Sequence, residues 1–181
     1  EAFSNADLVI EAIAEIVDEK KAFYEKISSH LKEDTIVVSN SSTLLPSQFS
    51  EYTKREDKFL NLHFANNIWR QNVAEIMKHD KTSDKSFESV VEFAKSIGMY
   101  PAILKKEQPG YILNSLLVPL LDSALMLYGA DIAEPKDIDM DWKIGTGAPK
   151  GHFEIIDIVG ITTVINITKI SPKAKDPNSP L

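Results

Sequence analysis

Phe59-Leu60-Asn61-Leu62-His63-Phe64 and Asn72-Val73-Ala74-Glu75-Ile76-Met77 are two largely apolar runs of strand length joined by a polar turn. Adjacent strands bring opposed side chains face to face across the ladder, so His63 and Glu75 are placed to meet. A carboxylate beside an imidazole favours its protonated form and fixes the ring. Proteins make a general base for neutral pH in this way. Upstream, Ser39-Asn40-Ser41-Ser42-Thr43 directly follows the apolar strand Thr35-Ile36-Val37-Val38. Hydroxyls and an amide at the carboxyl end of a parallel strand lie where open α/β sheets bind ligands. The combination points to oxidoreductase or transferase chemistry rather than simple binding.

Working outward, residues 7–106 alternate strand-like and helix-like patterns. Asp7 to Ile13 reads as a strand, and residues 15–32 as a helix with Phe23, Ile27 and Leu31 on one face. Pro46-Ser47-Gln48-Phe49 marks a short helix start. Residues 83–97 read as a helix with Phe87, Val90, Val91, Ala94 and Ile97 inward and Gly98 as its stop. A strand over 99–105 closes this half. Such alternation argues for a parallel α/β sheet.

At Gln108-Pro109-Gly110 the pattern changes, and everything beyond reads as helical. Residues 111–128 are apolar over a wide arc, from Ile112 and Leu113 to Leu125, so burial on more than one side, including a subunit interface, is expected. Asn114, Ser115, Pro119, Asp122 and Ser123 interrupt the run, which reads as a buried helix and not a membrane span. Pro135 opens a helix to about 143, and residues 152–170 read as one further helix. Gly145 to Gly151 is rich in glycine but follows a helix rather than a strand, so it does not match a dinucleotide-binding turn. Ser171 to Leu181, with three prolines, reads as loosely structured.

Composition narrows the function classes. The 181 residues carry a net charge of −7 and no cysteine. Broad attraction to nucleic acid or to anionic membranes is not expected, and disulfides, thiolate catalysis and cysteine-bound metals are excluded. Cysteine usage favours the cytoplasm. The four histidines, His30, His63, His79 and His152, show no tight metal-ligand spacing. The first residues lack a basic start and an apolar run, so they are no signal peptide. Without an initiator methionine, the chain reads as an internal fragment.

The chain resembles the L-3-hydroxyacyl-CoA dehydrogenase family, which includes 3-hydroxybutyryl-CoA dehydrogenases. The markers are Ala6 to Ile13, Ser39-Asn40-Ser41-Ser42, Leu62-His63-Phe64 with Asn66, Glu75, Pro109 to Asn114, and Gly151-His152-Phe153-Glu154 with Asp157. The resemblance implies an α/β fold: the C-terminal half of a Rossmann-type dinucleotide-binding sheet over 1–107, then an all-α substrate and dimerisation domain over 108–181. It implies hydride exchange between NAD and C3 of an acyl-CoA of the short-chain 3-hydroxybutyryl type, in a homodimer. His63 would be the general base, and Glu75 would orient it and stabilise its charge. Ser42 and Asn114 would hold substrate oxygens at a cleft between domains. Glu15, Lys20, Asn40 and Asn66 would line the cofactor or substrate groove. No metal is implied.

Two departures from the family pattern stand out. The strand, Gly-x-Gly-x-x-Gly turn and helix that hold the pyrophosphate have no counterpart here, so this piece alone is expected to bind NAD weakly or not at all. The final helices likewise read as cut short at Leu181. After His63, the run Phe64-Ala65-Asn66-Asn67-Ile68-Trp69-Arg70 replaces the proline and small apolar residues usual in the family. Trp69 and Arg70 could reshape an acyl pocket, meet an anionic substrate, or serve only as turn residues. They motivate an alternative: a dehydrogenase of a non-CoA hydroxy acid of the L-gulonate or carnitine type. The missing glycine turn motivates a second: a non-catalytic dimerising or crystallin-like relative. Plainer readings stand beside the individual roles. Ser41, Ser42, Thr43 and Asn114 could cap helices, and Glu15 and Lys20 could lie on a solvated helix face.

Overall fold

The structure, a computed structural model, describes residues 3 to 170. The tail from Ser171 lies outside the described residues. The chain divides into two compact units, residues 1–113 and 114–181.

The first unit is a five-stranded sheet: β1 (Leu8–Glu11), β2 (Ile36–Ser39), β3 (Phe59–Phe64), β4 (Val73–Met77) and β5 (Tyr100–Leu104), in that spatial order. Pairs β1–β2, β2–β3 and β4–β5 are parallel, while β3–β4 is antiparallel. The sheet is therefore mixed where the alternating pattern predicts a parallel one. The segment between Phe64 and Val73 is too short for the crossover that parallel strands need, about a dozen residues or more, and so it turns the chain back.

Two helices cover the faces. α2 (Asp84–Ser96) packs Val90, Val91 and Ala94 onto Val38, Leu60, Leu62, Ala74 and Ile76. α1 (Val17–Ser28) packs Tyr24 and Ile27 onto Val9, Val37, Phe49 and Phe59. Because successive strand residues alternate faces, Asn61, His63 and Glu75 share the side opposite α2. The α2 side is wholly apolar, whereas the opposite side carries the polar residues. α1 starts at Val17, two residues later than the pattern predicts, with Ile16 as its N-cap. Glu15 thus stands in the loop after β1. Ser83 caps α2 through Ser86 N–H at 3.2 Å, and Gly98, at φ 81°, ends it in the left-handed region.

The second unit holds α3 (Leu113–Gly129), α4 (Pro135–Thr146), α5 (His152–Val159) and α6 (Ile161–Ile170). Leu121, Ile156 and Val164 form its centre. α3 starts at Leu113; Leu121 and Ala124 on it are buried, while Leu116 is 69% exposed, so the unit itself does not cover the whole apolar arc. The helix predicted over 152–170 is broken at Gly160, whose φ of 93° only glycine adopts readily. Among the described residues, no helix is long and apolar enough to cross a membrane.

Buried Asp139 caps α5, accepting from Phe153 N–H at 2.9 Å and Glu154 N–H at 3.0 Å. A β-carbon on Gly151 would overlap that carboxyl group. Gly151→Ala is therefore expected to destabilise this unit by about 1–3 kcal/mol, the usual range for overpacking. Thermal denaturation checks this, and an unchanged midpoint would show that Asp139 moves aside freely.

Candidate active site

Three segments meet beyond the carboxyl ends of the parallel strands: residues 12–16 after β1, 40–45 after β2, and the end of β3. Asn40 ties the last two together, its Oδ1 accepting from Phe64 N–H at 2.9 Å. The ladder register pairs His63 directly with Glu75. Both are buried, and Glu75 Oε2 lies 3.0 Å from His63 Nδ1. Glu75 Oε1 accepts from Ile112 N–H and Leu113 N–H, each at 2.9 Å. Burial pushes the Glu75 carboxyl up, but the hydrogen bonds from His63, Leu113 and Ile112 outweigh it and hold the group below its ordinary value. An ionised Glu75 can only accept, so the proton of the neutral imidazole sits on Nδ1. Nε2 then presents a lone pair, 3.2 Å from Ser42 Oγ.

Behind this pair lies a second buried network. Glu11 Oε1 accepts from Lys20 Nζ at 2.7 Å and from Ile13 N–H at 2.7 Å. Its Oε2 accepts from the Tyr24 hydroxyl and from Ser39 Oγ. Burial, then the nearby Glu11, raise the Tyr24 phenol, which stays neutral. Lys20 is 1% exposed, so it does not lie on a solvated helix face. Glu15 Oε1 accepts from Ser41 Oγ, Ser42 N–H, Thr43 N–H and Thr43 Oγ1, and its Oε2 stands 3.5 Å from Lys20 Nζ. Burial pushes Glu15 up. The bonds from Ser41 and Thr43, with Lys20, bring it below its ordinary value. Ser41, Ser42 and Thr43 cap no helix, since the helical turn that follows begins at Pro46.

Ile13, Glu15, Lys20, Asn40, Ser42 and Thr43 line a cavity of about 330 Å³. Asn66 is not among its lining residues and stands on the exposed turn after β3, as do Trp69 and Arg70. Asn114 belongs to the second unit, half-buried in the first turn of α3. Sequence reasoning missed Glu11, Asn61 and Tyr111. Glu11 and Asn61 carried a signal: a polar side chain inside an apolar strand must find a partner.

The Ser42–His63–Glu75 array has the connectivity of a hydrolase triad. However, the Ser42 and Thr43 N–H groups that could serve an oxyanion are taken by the Glu15 carboxylate. The arrangement therefore suits proton transfer at His63 Nε2 rather than acyl attack. Among the described residues, no group of three or more His, Asp or Glu is placed to hold a metal.

A Rossmann-type sheet that gathers an ionisable dyad and a polar cavity at its carboxyl edge, followed by a helical domain, is the architecture of nicotinamide-dependent dehydrogenases. Residues 1–108 match the model of the 3-hydroxyacyl-CoA dehydrogenase NAD binding domain, and residues 110–180 match that of the same family's C-terminal domain. The chain belongs to the 3-hydroxyacyl-CoA dehydrogenase family. It is 40% identical over 159 residues to the mitochondrial hydroxyacyl-coenzyme A dehydrogenase of Homo sapiens, covering 88% of this chain and 50% of the human protein. The chain thus spans about half the length of the curated relatives it matches. Two solved structures are also similar. A diketoreductase, described as acting on dicarbonyl compounds, is 56% identical with a TM-score of 0.92, over 94% of this chain and 60% of its own. The (S)-3-hydroxybutyryl-CoA dehydrogenase of Ralstonia eutropha is 30% identical with a TM-score of 0.84, over 90% and 57%.

Proposed function

We propose that this chain is part of an NAD-dependent dehydrogenase interconverting (S)-3-hydroxyacyl-CoA and 3-ketoacyl-CoA, with a short acyl chain of the 3-hydroxybutyryl type. The observation that carries the reading is the His63 ring, held at Nδ1 by Glu75 with its Nε2 lone pair facing the Ser42 hydroxyl. Both faces of the cofactor reading rest on the cavity chemistry. Lys20, Asn40, Ser42 and Thr43 offer an ammonium, an amide and hydroxyls, which suit ribose hydroxyls and a carboxamide. These residues would hold the nicotinamide cofactor, which would supply the hydride acceptor for C3. His63 Nε2 takes the hydroxyl proton as the C3 oxygen becomes a carbonyl, and Glu75 stabilises the resulting imidazolium. Ser42 gives up Nε2 and donates to the substrate oxygen. Asn114 contributes a second polar contact to the substrate. Glu15, through Lys20 and the Ser41–Thr43 backbone, keeps the cavity wall in place, and Asn66 offers a polar group to the ligand from the exposed turn after β3. In the reverse direction His63 returns the proton.

The test is NADH oxidation by the intact protein with acetoacetyl-CoA. A second reading, reduction of a free dicarbonyl compound, is favoured by the 56% identity to the diketoreductase. Exposed Trp69 and Arg70, on the turn after His63, would then meet the part of the substrate that replaces CoA. Turnover of acetoacetyl-CoA and none of a free dicarbonyl compound supports the first reading; the converse supports the second. Silence with both, in a folded protein, would defeat both. The exposed Leu116, Leu127 and Tyr128 of α3 fit a homodimer formed through this helix, which sedimentation would check. A chain without cysteine suits a reducing compartment such as the cytoplasm.

Glu75→Gln is expected to lower kcat by about 10- to 100-fold, less than loss of the base itself. The two backbone N–H groups at Oε1 require an acceptor, so the Gln amide oxygen must sit there. Its NH2 then faces Nδ1 and moves the imidazole proton to Nε2, which removes the lone pair the reaction needs. Steady-state kinetics of the intact variant checks this.

A further inference from the structure

We infer that Tyr111 is a positioning residue for the base: its ring backs the His63 imidazole and meets the positive charge that arrives there during proton transfer. This rests on the reading of His63 as general base. The two rings are stacked, with centroids 4.6 Å apart and planes 18° from parallel. A cation over the face of an aromatic ring is attracted by its quadrupole, most strongly when desolvated, and both residues are buried.

The phenol is fixed independently of that stack. Its hydroxyl donates to the Ser41 carbonyl at 2.7 Å and accepts from Asn61 Nδ2 at 2.9 Å. Asn61 also donates to the Leu44 carbonyl at 2.9 Å. The ring is therefore anchored to the segment that carries Ser42. Tyr111 also has φ 53°, a left-handed conformation that a residue with a β-carbon adopts only when its surroundings impose it. That turn, after Gly110 at φ 78°, brings the next two N–H groups onto Glu75. Three consecutive residues thus hold both members of the dyad: Tyr111 by its ring, Ile112 and Leu113 by their backbone.

The test compares Tyr111→Phe, which keeps the π face, with Tyr111→Leu, which removes it, in the intact protein. Tyr111→Leu is expected to lose about tenfold in kcat, with the acid limb of the kcat–pH profile moved to lower pH and KM raised severalfold by loss of the hydroxyl anchor. Tyr111→Phe is expected to keep kcat and the profile while raising KM severalfold, because only the anchor to the Ser42 segment is lost. Tyr111→Met, similar in length but without a ring, carries the same expectation if the leucine variant does not fold. A substrate-free readout separates this inference from the proposed reaction. The His63 ring signals, followed by NMR across the same pH range, should shift to lower pH in Tyr111→Leu and not in Tyr111→Phe. Equal losses of kcat in the two variants, or an unmoved His63 titration in Tyr111→Leu, would overturn the inference. An unmoved titration does so even where no substrate is turned over, while a moved one sustains it if neither acetoacetyl-CoA nor a free dicarbonyl compound reacts.

Discussion

Replacing His63 with glutamine in the intact protein is expected to lower kcat by about 10²- to 10⁴-fold, the usual contribution of a positioned general base. Gln keeps similar bulk and can still hydrogen-bond Glu75, so the strand pair should hold its register. What disappears is a lone pair that can take a proton near neutral pH. The cavity residues Glu15, Lys20 and Asn40 are untouched, so NADH affinity should stay within about twofold and the loss should fall on kcat. Steady-state kinetics with NADH titration separates the two. A kcat within tenfold of the parent protein would show that the proton goes elsewhere.

The largest stability effect is expected at Glu11. Its carboxylate lies 2% exposed and gathers Lys20, Tyr24, Ser39 and the Ile13 N–H. Glu11→Ala strands the buried Lys20 ammonium, and breaking a buried pair in this way costs about 3–5 kcal/mol. Glu15, at 3.5 Å and partly exposed, compensates only in part. Adding Lys20→Met to Glu11→Ala should restore much of the loss, because the unpaired charge rather than the missing bond dominates. Chemical denaturation of the single and double variants decides this. A double variant less stable than Glu11→Ala would mean that the network stabilises through its hydrogen bonds instead.

Much of this arrangement was legible in the residue pattern, for identifiable reasons. The apolar runs and the period-two placement of His63 and Glu75 fix which side chains share a sheet face, and the antiparallel turn then sets them opposite one another. The overall alternation, read as a parallel sheet, does not show that β4 runs antiparallel to β3, because composition does not report strand direction; the length of the connection does. Glu15 and Lys20 looked like a charged helix face because helical periodicity does not show that the chain stays extended to Ile16 and buries Lys20 against Glu11. Gly160 was passed over inside a β-branched run. Tyr111 looked like the start of an apolar helix, and nothing in its neighbours announces a left-handed turn. The matched family models agree with the fold and the family that the motifs imply.

The hairpin made by β3 and β4 has a consequence for how such a site can diversify. His63 and Glu75 are secured within the ladder, while residues 65–72 lie beyond its last paired positions, Phe64 and Ala74. The tip can therefore be exchanged without moving the dyad, much as surface loops tolerate change on a rigid scaffold. Grafting the tip of a relative with different preferences onto this hairpin should transplant selectivity and leave the proton-transfer step as it was. Under the proposed function, the reaction and the choice of molecule it acts on rest on separate parts of this hairpin.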